Sequence, residues 1–430
     1  MNVSPAKMNN NPNQKPKLVL ITDEFPYSVK EASFLGPELT ALSPCFDVTL
    51  ISKSASKTQV LPVDARIRVL HYDRPHAILH LPFFLLLPFD ADFREEVSRI
   101  RRERAKMPIK NALLSGYFMI EARFFARFLK MNGFTGGNCD ADVFYSYWNN
   151  YAAYALTRLS EKGLLGRAKV VSRTHGYDLF DVRQPFLRQP VKQQTDRALK
   201  RIYFISEQGK RYYTSRFADA ADDSKYRVFR LGAPDEGLAP ERTGKGVRFF
   251  TLSSTAKVKR LPLLIETLSR IDRLPVSWTH IGGGPELESI TSLAEQKLSK
   301  KENITYAFTG VLSHEALFAF LKAEPFDCIV NVSESEGLPV SVMEAASLGI
   351  PAIALDVGGT REALPEKARF LLPADSTPEE IAVALIAFSA LPAEEKRALR
   401  AASRALYAER FNAENNSRAF AEELLSLAGE

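Results

Sequence analysis

From Leu18 onward, short apolar runs alternate with helix-length amphipathic segments. This is the pattern of parallel strands joined by crossover helices, and it excludes an all-β or all-α chain. It predicts strands at Lys17–Thr22, Val48–Ser52, Val143–Ser146, Val170–Arg173 and Arg201–Ile205, then at Val247–Ser253, Trp278–Ile281, Thr305–Thr309, Cys328–Val332, Pro351–Leu355 and Phe370–Leu372. Between the two sets, Gly232, Pro234, Gly237, Pro240, Gly244 and Gly246 interrupt any apolar period and mark a linker. The expected fold class is α/β, with similar domains at 17–233 and 247–410 facing across a cleft, joined by a linker at 234–246. Residues 1–16 read as a disordered lead-in. Residues 411–430 read as an amphipathic helix, with Phe420, Leu424 and Leu427 on one face, that returns to the first domain.

A chain of 430 residues is long enough for two such cores. Its three cysteines, Cys45, Cys139 and Cys328, are odd in number and far apart, which argues against a disulfide framework and fits a reducing cytoplasm. The longest apolar run, Ala77 to Phe89, contains His80, Pro82 and Pro88 and is too short and interrupted to span a bilayer. Two readings of it stay open: an interior element, or a segment that dips into a membrane with the basic stretch Arg94 to Lys130 holding anionic headgroups.

Metal chemistry finds little support in the spacing. His76 and His80 are four apart but bracketed by proline with no glutamate after the first. The two D-x-D pairs, Asp90–Asp92 and Asp140–Asp142, are short patterns that occur routinely at strand and helix ends.

The segment from Ser333 to Pro351 carries the most chemistry. It follows a buried strand and opens a helix near Pro339, where proline's missing donor is harmless, and Gly349 and Pro351 stop that helix. The free amides at its start suit an anion such as a diphosphate. Glu336 and Glu344 frame the same terminus and can accept hydrogen bonds from sugar or ribose hydroxyls.

Glu336-Gly337-Leu338-Pro339 with Glu344 resembles the E-x7-E motif of family-4 retaining glycosyltransferases, and DVGGTREAL, from Asp356 to Leu364, continues that family's pattern. The resemblance is strongest from Val247 to Leu364. It implies two Rossmann-like domains in the arrangement called GT-B, with the nucleotide sugar held by the second. By it, Glu336 binds the donor sugar, Glu344 the ribose, and the backbone around Gly337, Leu338, Pro339 and Val340 the phosphates. Lys259 matches a phosphate-binding lysine and Arg260 stands beside it, whereas Ser254 occupies the place where the family commonly has an arginine. Gly283 and Gly284 form a turn that approaches the ligand, and Phe308 and Thr309 lie where the family seats the base. The resemblance also makes His175 a donor-positioning residue. The H-G-x-D form of His175 and Asp178 is similar to the exopolysaccharide, colanic-acid-type branch, with Asp178 on the acceptor side. Glu31 and Ser33 replace a glycine pair at the entry loop and are expected to serve the acceptor.

The expected function is metal-independent transfer, with retention, of a hexose-type unit from a UDP- or GDP-sugar to a glycan or polyprenyl-linked oligosaccharide in bacterial surface polysaccharide assembly. No cofactor and no nucleic acid partner are expected, and the inner face of the plasma membrane is a candidate surface. Two other readings share this architecture: a nucleotide-sugar 2-epimerase and a non-catalytic nucleotide-sugar-binding subunit.

Overall fold

Strands that read as near-continuous apolar runs, such as KLVLIT, VFYS and CIVN, are buried on both faces, as parallel sheets covered by helices require. A computed structural model describes residues 15–218 and 224–430 and contains two such sheets. Most of the expected lead-in, residues 1–14, lies outside the described residues.

The first sheet is built from β1 (Lys17–Thr22), β2 (Asp47–Ser52), β3 (Arg68–His71), β4 (Val143–Ser146), β5 (Lys169–Thr174), β6 (Arg201–Phe204) and β7 (Tyr226–Val228), in the order β3-β2-β1-β4-β5-β6-β7. The second is built from β8 (Val247–Leu252), β9 (Val276–Ile281), β10 (Ile304–Phe308), β11 (Cys328–Asn331), β12 (Ala352–Leu355) and β13 (Leu371–Leu372), in the order β10-β9-β8-β11-β12-β13. All pairings are parallel, with Leu18, for example, opposite both Val48 and Val143. In each sheet the chain order reverses once, between β1 and β4 and between β8 and β11. Such reversals open a crevice beyond the strand ends.

β3 and β7 have no counterpart in the sequence reading. Both are short outer strands whose mixed polar and apolar residues, RVLH and YRV, show no burial pattern to read. The run Ala77–Phe89 is not an interior element. It forms two 3-10 turns and one short helix, Leu81–Phe84, on the surface of the long helix Pro108–Met131.

The chain crosses between the sheets twice, and the crossings touch. The Ala233 amide donates to the Phe411 carbonyl at 2.9 Å and the Ala413 amide to Ala233 at 3.0 Å. A side chain at Gly232 would meet the Ala413 nitrogen at 2.5 Å, so the approach needs glycine. Beyond this point the helix Ala413–Gly429 buries Phe420, Leu424 and Leu427 against Leu18, Leu39 and Tyr145 of the first domain. Each of these side chains contributes roughly 1.5–3 kcal/mol by leaving water.

Candidate functional site

The β8/β11 crevice gathers the second domain's charged groups. After β8 the chain makes a 3-10 turn, Lys257–Lys259, and after β11 it runs through Ser333 to Pro339. The Glu334 amide donates to the Val258 carbonyl at 2.8 Å and ties the two loops together. Lys259 Nζ then lies 2.6 Å from Glu336 Oε1, which also receives Asn331 Nδ2 at 3.4 Å. Burial would raise the Glu336 carboxyl, but the Lys259 charge and hydrogen bonds from Lys259, Ser333 and Asn331 leave it below the usual carboxylate range. A fixed ion pair thus stands in the crevice, with Lys259 still partly open to solvent.

The helix Val340–Ser347 starts from Pro339 with no side chain capping it, and the amides of Val340 and Ser341 donate to no group among the described residues. Its other end closes in a Schellman motif, with Gly349 at φ 70° and its amide on Ala346, and the Ile350 amide on Ala345 at 2.8 Å. On the second turn, Glu344 is buried without a hydrogen bond among the described residues, and burial pushes its carboxyl up to about 8. His314 Nδ1 lies 3.8 Å away. Burial lowers the imidazole of His314. A neutral acid whose carboxyl has no hydrogen bond among the described residues, beside open amides, is arranged for a ligand that brings hydroxyls and negative charge together.

Three loops frame this crevice through tight backbone contacts. A side chain at Gly282 would sit 1.9 Å from the Ser253 carbonyl, and one at Gly358 would sit 1.7 Å from the Glu336 carbonyl. The Thr255 amide donates to the Gly283 carbonyl at 3.0 Å, and Gly284, at φ 144°, packs on Thr255. Gly283 and Gly284 therefore hold the β8 and β9 loops together. Ser254 is exposed on that rim.

Phe308 and Arg260 direct their side chains to other contacts. Phe308 packs edge-on against Trp278 at 5.3 Å, on the core side of the sheet. Arg260 directs its guanidinium to the Ala374 carbonyl, 3.5 Å away beyond β13. The Thr309 hydroxyl turns to the Gly310 carbonyl of its own loop at 3.0 Å.

The first domain meets this site glycine to glycine. A side chain at Gly337 would lie 2.8 Å from the Gly176 nitrogen, so the backbone after β5 lies directly on the E-G-L-P turn. The Arg183 guanidinium donates to the Ser335 carbonyl at 2.9 Å. From the DVGGTREAL segment, Glu362 accepts from the amides of Glu207 and Gln208 at 2.9 and 2.8 Å and from Arg230 at 3.0 Å. Next to Gly176, His175 is buried between Tyr147 and Trp148, with ring centroids 4.7 and 4.4 Å away. Neither of its ring nitrogens has a partner among the described residues, and burial with the Arg173 charge holds it neutral.

The Asp178 carboxylate, expected on the acceptor side, is engaged by backbone of its own domain. Its oxygens receive the amides of His175 and Asn149, both at 2.7 Å, which fixes the loops after β4 and β5. Lys192, brought down to about 8 by burial, donates to the Asn149 carbonyl behind it. Glu31 is likewise turned inward. It takes the amides of Glu24 and Phe25, both at 2.7 Å, and the Trp148 indole, so its carboxylate shapes the entry loop. Ser33 lies half-buried near Arg173 and Arg230, beside a small recess.

Sequence reasoning did not single out His314, Glu362, Arg183, Tyr147 or Trp148. Of these, only Glu362 sits inside a motif named above, the DVGGTREAL segment, and the others are placed by tertiary contact. Among the described residues no three His, Cys, Asp or Glu side chains converge in a metal-holding group.

Two parallel-sheet domains meeting across this site define the GT-B fold. The chain aligns over 96% of its length with the structure of Anabaena Alr3699/HepE in complex with UDP and glucose, covering all of that chain with a TM-score of 0.63 at 14% identity. Residues 240–405 match the family of glycosyl transferases group 1, so the second half of the chain is a glycosyl transferases group 1 domain. Over 104 residues, 24% of this chain and 27% of the relative, it is 35% identical to the O-antigen biosynthesis glycosyltransferase WbnH of Escherichia coli. Over 234 residues it is 27% identical to a GDP-mannose-dependent alpha-(1-6)-phosphatidylinositol monomannoside mannosyltransferase of Mycobacterium tuberculosis, with 49% of this chain and 58% of that one aligned. The chain thus spans about a quarter to just over half of these curated relatives.

Proposed function

We propose that this protein is a retaining, metal-independent glycosyltransferase. It moves a hexose-type unit from a UDP- or GDP-sugar to a hydroxyl of a glycan or polyprenyl-linked oligosaccharide in bacterial surface polysaccharide assembly. The observation that carries the reading is the convergence of the Lys259–Glu336 pair, the uncapped helix at Val340 and the buried Glu344 carboxyl on one topological switch point. The names of the relatives support both nucleotides: one is GDP-mannose-dependent, and the HepE structure holds UDP.

In this site the diphosphate lies on the Val340 and Ser341 amides and Lys259, which together supply the positive field that a leaving diphosphate needs. Glu344 accepts the ribose hydroxyls, and Glu336 accepts those of the sugar. The anomeric carbon–phosphate oxygen bond breaks and the bond to the acceptor oxygen forms on the same face. The acceptor's proton passes to the departing phosphate oxygen. Neutral His175, one residue from the glycine contact, orients the sugar and phosphate region. A polyprenyl-linked acceptor would bring the enzyme to the cytoplasmic face of the inner membrane.

A thermal-shift screen of UDP- and GDP-sugars tests the donor half, because a ligand that binds only the native state raises the melting point. One donor class should shift it and, with acceptor present, should be consumed with release of nucleoside diphosphate. Isomerised donor without acceptor would instead indicate an epimerase. Binding with no turnover under any acceptor would indicate a non-catalytic subunit.

A further inference from the structure

The run from Ala77 to Phe89 is amphipathic in an unusual way. One side is pinned to the helix Pro108–Met131: His80 Nε2 lies 2.9 Å from Glu121 Oε1, its ring stacks on Tyr117, and Leu87 fills the space left by Gly116. From the other side Ile78, Leu79, Leu81, Leu85, Leu86 and Phe89 project with more than half of their surface in water. Ile109 and Leu113, one turn apart on the supporting helix, are exposed to the same degree. Contiguous apolar surface of this extent on a folded domain marks a contact with something else.

The charge beside it is of one sign. Arg101, Arg102, Arg104, Lys106 and Lys110 are exposed, and none has a carboxylate within ion-pair distance among the described residues. Lys110 follows Ile109 directly in the chain, and Lys106 stands three residues before it. The nearby acids are already paired, Asp90 with Arg123 and Glu103 with Arg188 and Arg216. A second copy docked by two-fold symmetry would set these cations against their own kind. An anionic bilayer meets both the apolar side chains and the charge.

We propose that this face, the 77–89 segment with the start of the helix Pro108–Met131, inserts into the interfacial layer of an anionic phospholipid membrane. It flanks the first domain's crevice. β3 ends at His71, and Arg74, just beyond, lies over the Tyr151 ring at 5.3 Å. Lys53 lies over the same ring at 4.3 Å and pairs with Asp23 after β1. Given the glycosyltransferase reading, on which this consequence rests, docking here holds the acceptor crevice next to the headgroups where a lipid-anchored acceptor would emerge.

Co-sedimentation of the full chain with vesicles tests the surface without needing activity. The probes are vesicles of phosphatidylcholine alone and of phosphatidylcholine with about a third phosphatidylglycerol. The wild type should bind the mixed vesicles, and Leu85→Glu with Phe89→Glu should weaken that binding at least ~10-fold. Arg101→Glu with Lys106→Glu should reduce binding to the anionic vesicles alone. The variants should keep the wild-type melting point because these side chains are exposed; Ile109→Glu is the substitute should Leu85→Glu with Phe89→Glu disturb folding. A wild type that stays in the supernatant, or a Glu variant that binds as the wild type does, overturns the proposal. So does a wild-type dimer that the Glu substitutions convert to monomer. Donor binding in the thermal-shift screen is independent of all these outcomes, so failure of the membrane proposal and failure of the transferase reading remain distinguishable.

Discussion

The two crevices have the same topological origin and opposite electrostatic characters. At β8/β11 polar groups are left available: Lys259 is partly open, and among the described residues the Val340 and Ser341 amides and the Glu344 carboxyl make no hydrogen bond. At β1/β4 and the adjoining β5 loop the carboxylates are consumed internally, Glu31 by three amides and an indole and Asp178 by two amides, while His175 is buried against Tyr147 and Trp148. The second domain is thus prepared to compensate a fixed charge. The first spends its carboxylates on loop shape and keeps the neutral ring of His175 buried beside Gly176.

The largest effect that sharpens this contrast is expected at Lys259. Lys259→Ala should lower sugar transfer by ~10²–10³-fold, the scale of removing one preorganised charge stabiliser. Glu336 then remains buried without its cation, so stability should fall by roughly 3 kcal/mol in urea unfolding. An unchanged turnover would mean that the diphosphate lies elsewhere.

Next comes Glu344. Its carboxyl is up at about 8 in the folded protein against 4.5 in the open chain. Between those values the folded state keeps a proton that the unfolded state has lost, so this group makes stability fall as pH rises, by up to about 1.4 kcal/mol per unit. Glu344→Gln should remove that slope and stabilise the empty protein at pH 8. Ribose hydroxyls favour the ionised form, so donor affinity should rise toward pH 8 in the wild type, by at most ~10-fold per unit, and be flatter in the variant. Titration calorimetry across that window reads both.

The first domain should respond differently. Glu31→Gln should cost about 1–3 kcal/mol of stability, because the amides of Glu24 and Phe25 lose a charged acceptor, while donor affinity stays within ~2-fold. A variant that keeps its melting point but loses acceptor binding would restore Glu31 to the acceptor side. The smallest effect is expected at Arg260, whose side chain turns to the Ala374 carbonyl: Arg260→Ala should change donor affinity by less than ~3-fold.

The same contrast explains what could be read from the chain alone. Inner strands such as KLVLIT and CIVN, the helix bounded by Pro339 and Gly349, and the amphipathic tail announce themselves through local pattern. β3 and β7 do not, because edge strands need little apolar periodicity. The Glu336–Gly337–Leu338–Pro339 turn is legible because a glycine turn followed by proline at a helix start is a compact local motif. The stacking of His175 on Tyr147 and Trp148, the approach of His314 to Glu344 and the reach of Glu362 to the amides of Glu207 and Gln208 join distant segments, and no spacing encodes them. Nor does spacing reveal that the amides of Glu24 and Phe25 engage the Glu31 carboxylate.

The central claim is that a nucleoside diphosphate is held where Lys259, the Val340 helix start and Glu344 meet. Calorimetric titration of UDP and of GDP into the wild type and Lys259→Ala tests it most directly. One nucleotide should bind the wild type, and Lys259→Ala should weaken that binding by ~10²-fold or more. Equal binding to both proteins, or no binding of either nucleotide to the wild type, would contradict the account.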